Sequence, residues 1–178
     1  MKTRPSLPAR IVTCALLIQL AACGVIPGKH IHTEITIAAP SDVIWDILTN
    51  NERYPEWNPY HVRVDGRLEK GETLDLEIHK PNGDRVYISP HVTRLETARI
   101  LSWGGGIPGI FRGEHVFELQ ALDEQHTRLL HFEEFSGFAV PFASLEAIEA
   151  GYKQMNQSLK TRAETRWHRS RPPRQGPY

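Results

Sequence analysis

The hydrophobic rhythm of the chain changes several times between Ile31 and Leu159. Ile31 to Ala38 sets Ile31, Thr33, Ile35 and Ile37 on one side with a period of two, which predicts a half-buried strand. Pro40-Ser41-Asp42 then opens a helix, with Ser41 placed to cap it and Asp42 placed to face its positive end. Val43, Ile44, Ile47 and Leu48 give that helix an apolar face, and Asn50-Asn51 ends it. A second short helical turn is predicted from Glu52 to Trp57, closed by Asn58-Pro59. Alternation returns over Tyr60 to Leu68, Thr73 to His79, Arg85 to Leu95, Ile100 to Trp103, Gly113 to Leu122 and His126 to Phe135. Lys70-Gly71, Pro81-Asn82-Gly83-Asp84 and Asp123-Glu124-Gln125 supply turns between these strands. Finally Phe142, Leu145, Ile148, Tyr152, Met155 and Leu159 recur at spacings of three and four, one stripe of a long amphipathic helix. Gly151 lies inside that stripe at a cost of about 1 kcal/mol relative to Ala, which points to a close approach to the sheet or a bend.

This order predicts an α+β fold. A curved antiparallel sheet of about six or seven strands must cover its apolar face. The C-terminal helix is the one element long enough to do so, and the two short helices follow the first strand. A sheet curved over a single helix tends to leave a cavity between them. Trp45, Trp57 and Trp103 are read mainly as core, with Tyr54 and Trp57 plugging one end.

Ahead of the first strand the pattern is different. Lys2, Arg4 and Arg10 precede an apolar run from Ile11 to Leu20, which is about half the ~20 residues a transmembrane helix needs and fits a secretory signal. Leu20-Ala21-Ala22-Cys23 resembles a lipobox at all four positions. That resemblance implies a diacylglyceryl group on the Cys23 sulfur and cleavage before it. Gly24 is not the Asp that resembles an inner-membrane retention signal, which favours the outer membrane in a two-membrane bacterium. The expected plan is a signal peptide over 1–22, a lipidated linker over 23–29, a folded domain over 30–165 and a disordered basic tail over 166–178. The linker, about Gly24 to Lys29, would keep the domain within roughly 20 Å of the bilayer.

Charge and cysteine content refine this plan. The formal net charge of zero includes the three basic residues of the signal, so the mature chain is acidic. From Lys160 onward six basic residues meet one acidic residue, Glu164. Arg166, Arg169, Arg171 and Arg174 are candidates for contact with anionic headgroups, against the plainer reading of a solvated tail. An acidic exported body argues against nucleic acid as a partner. Of the two cysteines, Cys14 leaves with the signal and Cys23 is acylated, so neither a disulfide nor a cysteine-based metal site is expected.

Several strings together resemble one family. They are Ala39-Pro40 before Val43-Ile44-Trp45, then Tyr54-Pro55-Glu56-Trp57-Asn58-Pro59, Trp103, Gly113-Glu114-His115-Val116-Phe117-Glu118-Leu119 and Thr127-Arg128-Leu129. Glu133-Glu134-Phe135-Ser136-Gly137 and Gly151-Tyr152-Lys153-Gln154-Met155-Asn156 complete the set. From His32 to about Glu164 the chain is similar to the START-like, Bet v 1-like superfamily, and most similar to its polyketide cyclase/dehydrase-like branch. The resemblance implies a helix-grip fold. It does not fix a function, because that superfamily includes carriers, cyclases, hydrolases and sensors.

Candidate chemistry is sparse. Gly104-Gly105-Gly106-Ile107-Pro108-Gly109 formally matches GxGxxG, but Pro108 and the strand pattern that follows leave no helix to receive a phosphate. It reads instead as a glycine-rich loop at the cavity mouth, with Ile107, Pro108, Ile110 and Phe111 as an apolar gate. Nine histidines occur without ligand spacing, so no metal and no cofactor is expected. No nucleophile elbow is present. His115 shares a face with Phe117 and Leu119, and Glu133 with Leu129, His131 and Phe135. If both faces point inward, His115 and Glu133 are candidate acid and base in an apolar cavity; the alternative is a structural hydrogen bond, or the opposite register with Leu130, Phe132 and Glu134 inward. Trp103, His115, Phe117, Leu129, Tyr152, Met155 and Asn156 are the candidate ligand contacts. Three functions stay open: binding of a small hydrophobic or amphipathic molecule such as a lipid, isoprenoid or aromatic metabolite; a cavity enzyme of cyclase, dehydratase or isomerase type; and an envelope adaptor.

Overall fold

The computed structural model describes residues 28–170. Cys23, the expected signal segment and the end of the expected tail, 171–178, lie outside the described residues. Strand β1 (Gly28–Ile37) leads into α1 (Ser41–Leu48) and a 3-10 turn over Asn51–Glu56. Seven strands follow: β2 (His61–Asp65), β3 (Asp75–His79), β4 (Arg85–Ile88), β5 (His91–Glu96), β6 (Ile100–Ile107), β7 (Phe111–Ala121) and β8 (Thr127–Ser136). A 3-10 turn at Val140–Phe142 precedes the long helix α2 (Ile148–Ser170).

The strands form an antiparallel five-stranded sheet in the order β1-β8-β7-β6-β5 and a three-stranded sheet in the order β2-β3-β4. A bridge between Thr73 and His91, with the bonds Leu74 N–H to Pro90 O and Val92 N–H to Glu72 O, joins them into one curved wall. Helix α2 lies in its concavity. Ile148, Tyr152, Met155 and Leu159 face inward as expected from the sequence, and Ala163 extends the stripe by one turn. Lys160 Nζ donates to Thr36 O and Ala38 N–H donates to Glu164 Oε1, which ties the helix to the end of β1. Gly151 is the point of closest approach. An added Cβ there would lie 2.2 Å from the Tyr60 ring, so the glycine serves packing rather than bending. Tyr54, fully buried, and Trp57 stack edge to face at 5.1 Å beside α1.

Several boundaries differ from expectation. The long helix begins at Ile148, not near Phe142, because Ala147 adopts a left-handed backbone with φ 66°. Phe142 therefore sits in the preceding turn and is 87 % exposed. The helix also runs to Ser170, so 166–170 is helical rather than part of a disordered tail. Arg166 donates to Asp46 Oδ2 of α1 at 2.8 Å. The stretch from Arg85 to Leu95 is two strands broken at Ser89-Pro90. Ser41 is the first helical residue and makes no side-chain cap; Pro40 precedes it as the N-cap. Gly104 to Gly106 belong to β6 and are not a loop.

Candidate functional site: a polar wall in an apolar cavity

A cavity of about 470 Å³ lies between α2 and the curved wall, within the range that holds small organic ligands. Its lining is mainly apolar, with Ile78, Val86, Phe111, Phe135, Leu145 and Ile148 around its sides. Polar groups converge on one wall. Antiparallel registry sets Trp103 opposite His115 on β6 and β7, and His115 opposite Glu133 on β7 and β8. The Trp103 and His115 rings are stacked at 4.9 Å with 3° between their planes. Helix α2 brings Tyr152 over them. Gly113 makes room for the acid, since a Cβ there would lie 3.1 Å from Glu133 Oε1 and from the Phe135 ring. Tyr60 and His61 enter from the start of β2, where Asn58 Oδ1 accepts both of their backbone N–H groups at 3.0 Å.

These side chains form one chain of hydrogen bonds whose direction can be worked out. Thr33 Oγ1 donates to the backbone oxygen of His131 at 2.9 Å. Its single proton is then used, so it accepts from Asn156 Nδ2 at 2.9 Å, which turns Asn156 Oδ1 toward His131. His131 Nδ1 must therefore donate to Asn156 Oδ1, at 2.6 Å. A neutral His131 then accepts at Nε2, and His115 Nε2 donates to it at 3.1 Å. His115 Nδ1 in turn accepts from the Tyr152 hydroxyl at 2.8 Å. The Tyr152 oxygen is in short contact with Glu133 Oε2. With its one proton directed at His115, Tyr152 can only accept there, so Glu133 must carry the proton. Every bond in the wall is made when both histidines are neutral and Glu133 is a carboxylic acid. Ionising Glu133 turns the Tyr152 proton around and leaves one buried contact between two lone pairs.

Electrostatics agree with this assignment. Burial pushes the Glu133 carboxyl up to about 7, against the lowering effects of the Tyr152 hydroxyl and the Lys80 charge. Burial lowers His131 and His61 to about 3 and His115 well below the ordinary histidine range, so all three are neutral. Burial, the Glu133 charge beside it and Tyr60 raise Tyr152 well above the ordinary phenol value. The buried Nδ1 of His61 has no hydrogen-bond partner among the described residues, although its ring packs against Trp103 and His115. It is a buried polar atom beside the cavity, itself shielded from solvent.

Of the candidate residues, Trp103, His115, Tyr152 and Glu133 line the cavity together. Phe117, Leu129 and Met155 do not line it; they are buried in the core behind the wall. Asn156 is also behind it and acts on His131 rather than on the cavity. Tyr60, His61 and His131 were not among the candidates. His131 shares a face with Glu133 by period two, a signal the sequence does carry, whereas Tyr60 and His61 had no comparable signal. The first four residues of the GxGxxG string are paired strand, Pro108 and Gly109 turn into β7, and no helix follows, so the string makes no phosphate cradle. Among the described residues no group of three or more His, Cys, Asp or Glu side chains is arranged to hold a metal ion. A second, more open hollow between α1 and α2 is lined by Arg53, Glu56, Arg162 and Arg166, which are paired with acids or bases around it.

The fold and this wall define a class, a helix-grip cavity protein. Over residues 29–164 the sequence matches the family described as polyketide cyclase / dehydrase and lipid transport, and the chain belongs to that family. Its fold is similar to the Zhui aromatase/cyclase from Streptomyces sp. R1128, at TM-score 0.60 and 19% identity, covering 80% of this chain and 95% of that one. It is also similar to a norcoclaurine synthase point mutant from Thalictrum flavum bound to a transition-state analogue, at TM-score 0.60 and 13% identity, covering 82% and 98%. A protein of unknown function from Staphylococcus aureus has TM-score 0.56 and 15% identity, covering 78% and 96%. At these identities the likeness is one of fold. No curated protein matches the chain.

Proposed function

We propose that this protein binds a small, largely apolar molecule with one hydrogen-bonding group in the cavity, and that acylation of Cys23 holds it on the cell envelope. A lipid, an isoprenoid or an aromatic metabolite fits this description. The observation that carries the reading is the contrast inside the cavity. Its sides are apolar, while Tyr60, His115, Glu133 and Tyr152 gather their polar groups on one wall. Native mass spectrometry of the protein isolated from its own host should find a bound small molecule, and protein that is empty in every preparation would refute the reading. Labelled palmitate should enter the wild-type chain and not Cys23→Ala. In a two-membrane bacterium the expected address is the periplasmic side of the outer membrane.

A second reading rests on Glu133 itself. A carboxyl that titrates near 7 on a cavity wall, bonded to Tyr152, is suited to move a proton to or from a ligand. Glu133→Gln separates the two readings. Binding retained with turnover lost supports the enzyme, and unchanged turnover of any substrate found removes it.

A further inference from the structure

The cavity has an unusual rim. Ile107 and Phe138 are each 61% exposed, Ile110 is 42% exposed and Phe142 is 87% exposed. They stand on two segments, the turn between β6 and β7 with Ile107 at the end of β6, and the segment after β8. The loops are bonded into one tip, with Phe138 N–H donating to Gly109 O at 3.0 Å and Ala139 N–H to Ile110 O at 2.9 Å. Gly106, Phe111, Ala143 and Ser144, immediate chain neighbours of these residues, line the cavity, so the tip flanks its mouth. A cluster of exposed aromatic and aliphatic side chains at a cavity mouth marks an interaction surface.

The chain itself indicates what meets that surface. Strand β1 enters at the same end, because Gly28 pairs with Ser136, two residues before Phe138. Cys23 lies five residues ahead of Gly28, a reach of about 17 Å in extended chain. Exposed Lys29 and Arg112 flank the tip beside Ser136 together with Glu114 and Glu134, and Lys80 Nζ donates to Ser144 O at the mouth, near Glu146. The border carries charges of both signs, so the exposed apolar side chains, with the lysines and arginine reaching toward headgroups, are what suits this tip to a headgroup layer. The opposite end of the domain, where Leu122, Ile37 and the last turns of α2 gather, is the end the linker holds away.

We propose that this tip is a bilayer-docking surface. Ile107, Ile110, Phe138 and Phe142 enter the boundary between headgroups and acyl chains of the membrane that carries the anchor. The cavity mouth then faces the bilayer, and an apolar ligand can pass between membrane and cavity without crossing water. The proposal rests on the reading of Cys23 as the acylated anchor, and it commits to lipid rather than to a protein partner.

The test uses the acylated protein in vesicles of phosphatidylethanolamine and phosphatidylglycerol. Cys14 leaves with the signal and Cys23 is blocked by acylation, so Phe142→Cys and Leu122→Cys variants each offer one free thiol for a polarity-sensitive fluorophore. Brominated lipids should quench the probe at position 142 several-fold more strongly than the probe at 122, with a blue shift at 142 alone. Equal quenching at both positions, with palmitate labelling intact, overturns docking and leaves the anchor standing. If palmitate labelling fails, the same probes go into the Cys14→Ser/Cys23→Ser chain with vesicles added: quenching at 142 alone supports docking without the anchor, and none overturns it. Because the vesicles hold lipid only, a surface made for a protein partner gives no shift and also counts against the proposal.

Discussion

The two ends of the cavity distribute polarity in opposite and equally unusual ways. At the inner wall, two histidines, a tyrosine, an asparagine and a carboxyl are withdrawn from bulk water, and each finds a partner. At the mouth, two isoleucines and two phenylalanines are left between 42% and 87% exposed. A fold that needed only stability would reverse both choices, since buried polar groups are costly unless satisfied and exposed apolar ones contribute nothing. The difference teaches that the inner wall is held by bond direction, whereas the exposure at the mouth gains nothing for the fold and is what the proposed docking on a bilayer would use.

The sharpest way to break the first half of that comparison is Asn156→Ala. It removes the acceptor that fixes His131 and the donor that fixes Thr33, both buried. The expected loss is roughly 2–4 kcal/mol, measured by urea unfolding. A loss near zero would mean that the wall is a set of independent contacts with no fixed direction.

Glu133→Gln tests the direction itself. Glutamine can donate to the Tyr152 oxygen as the protonated acid does, so the wall stays complete at every pH. In the wild type the folded-state pKa is raised from 4.5 to about 7. The contribution of Glu133 to stability is therefore fully present below 4.5 and is lost as pH rises through about 7. The glutamine variant should lack this loss, worth up to roughly 3 kcal/mol between pH 5 and 8. His61 and His131 run the other way. Their folded-state values fall from 6.5 to about 3, so their contribution is present above 6.5 and is lost as pH falls through about 3. Acid unfolding below pH 6 should therefore survive in Glu133→Gln. If unfolding of the variant keeps the wild-type pH profile above 5, the carboxyl does not carry the proton.

Gly151→Ala probes the packing that brings α2 onto the wall. The new methyl would meet the Tyr60 ring at 2.2 Å. Overpacking should outweigh the helix propensity gained, for a net loss of about 1–2 kcal/mol. In a Tyr60→Ala background the sign should reverse, because the obstacle is gone. The same sign in both backgrounds would place the cost elsewhere than at Tyr60.

Much of this architecture is legible in the alternation of strands and in the stripe from Ile148 to Leu159, because both follow from local periodicity. The errors have local causes too. Phe142 and Leu145 continue the stripe by spacing, yet Ala147 turns left-handed and detaches them from the helix. The glycines of β6 look like a loop in sequence. In the sheet Gly104 lies so close to Gly113 that a Cβ would come within 2.8 Å of its backbone oxygen, a fit that only a glycine meets. The pairing of His115 with Glu133 was visible as a possibility, since each shares a face with apolar neighbours. Its route through Tyr152, and the role of His131, depend on the registry of β7 on β8 and on the angle of α2. No spacing within one strand encodes either of these. His61 was hidden for the same reason, since it reaches the wall from β2, on the other sheet.

The smallest expected effect is at the mouth, and its smallness is informative. Replacing Ile107, Ile110, Phe138 and Phe142 by Ser removes side chains that are already largely in water. Each change alone should alter the free energy of unfolding by about 0.5 kcal/mol or less in either direction. The inner wall behaves oppositely, for there a single atom matters. If these serine variants unfold like the wild type in urea, the four residues do no work for the fold, and their exposure calls for a partner. If instead Phe138→Ser costs as much as a core truncation, the tip is a satellite of the core. Its apolar character would then be explained by packing, and the comparison between the two ends of the cavity would fail.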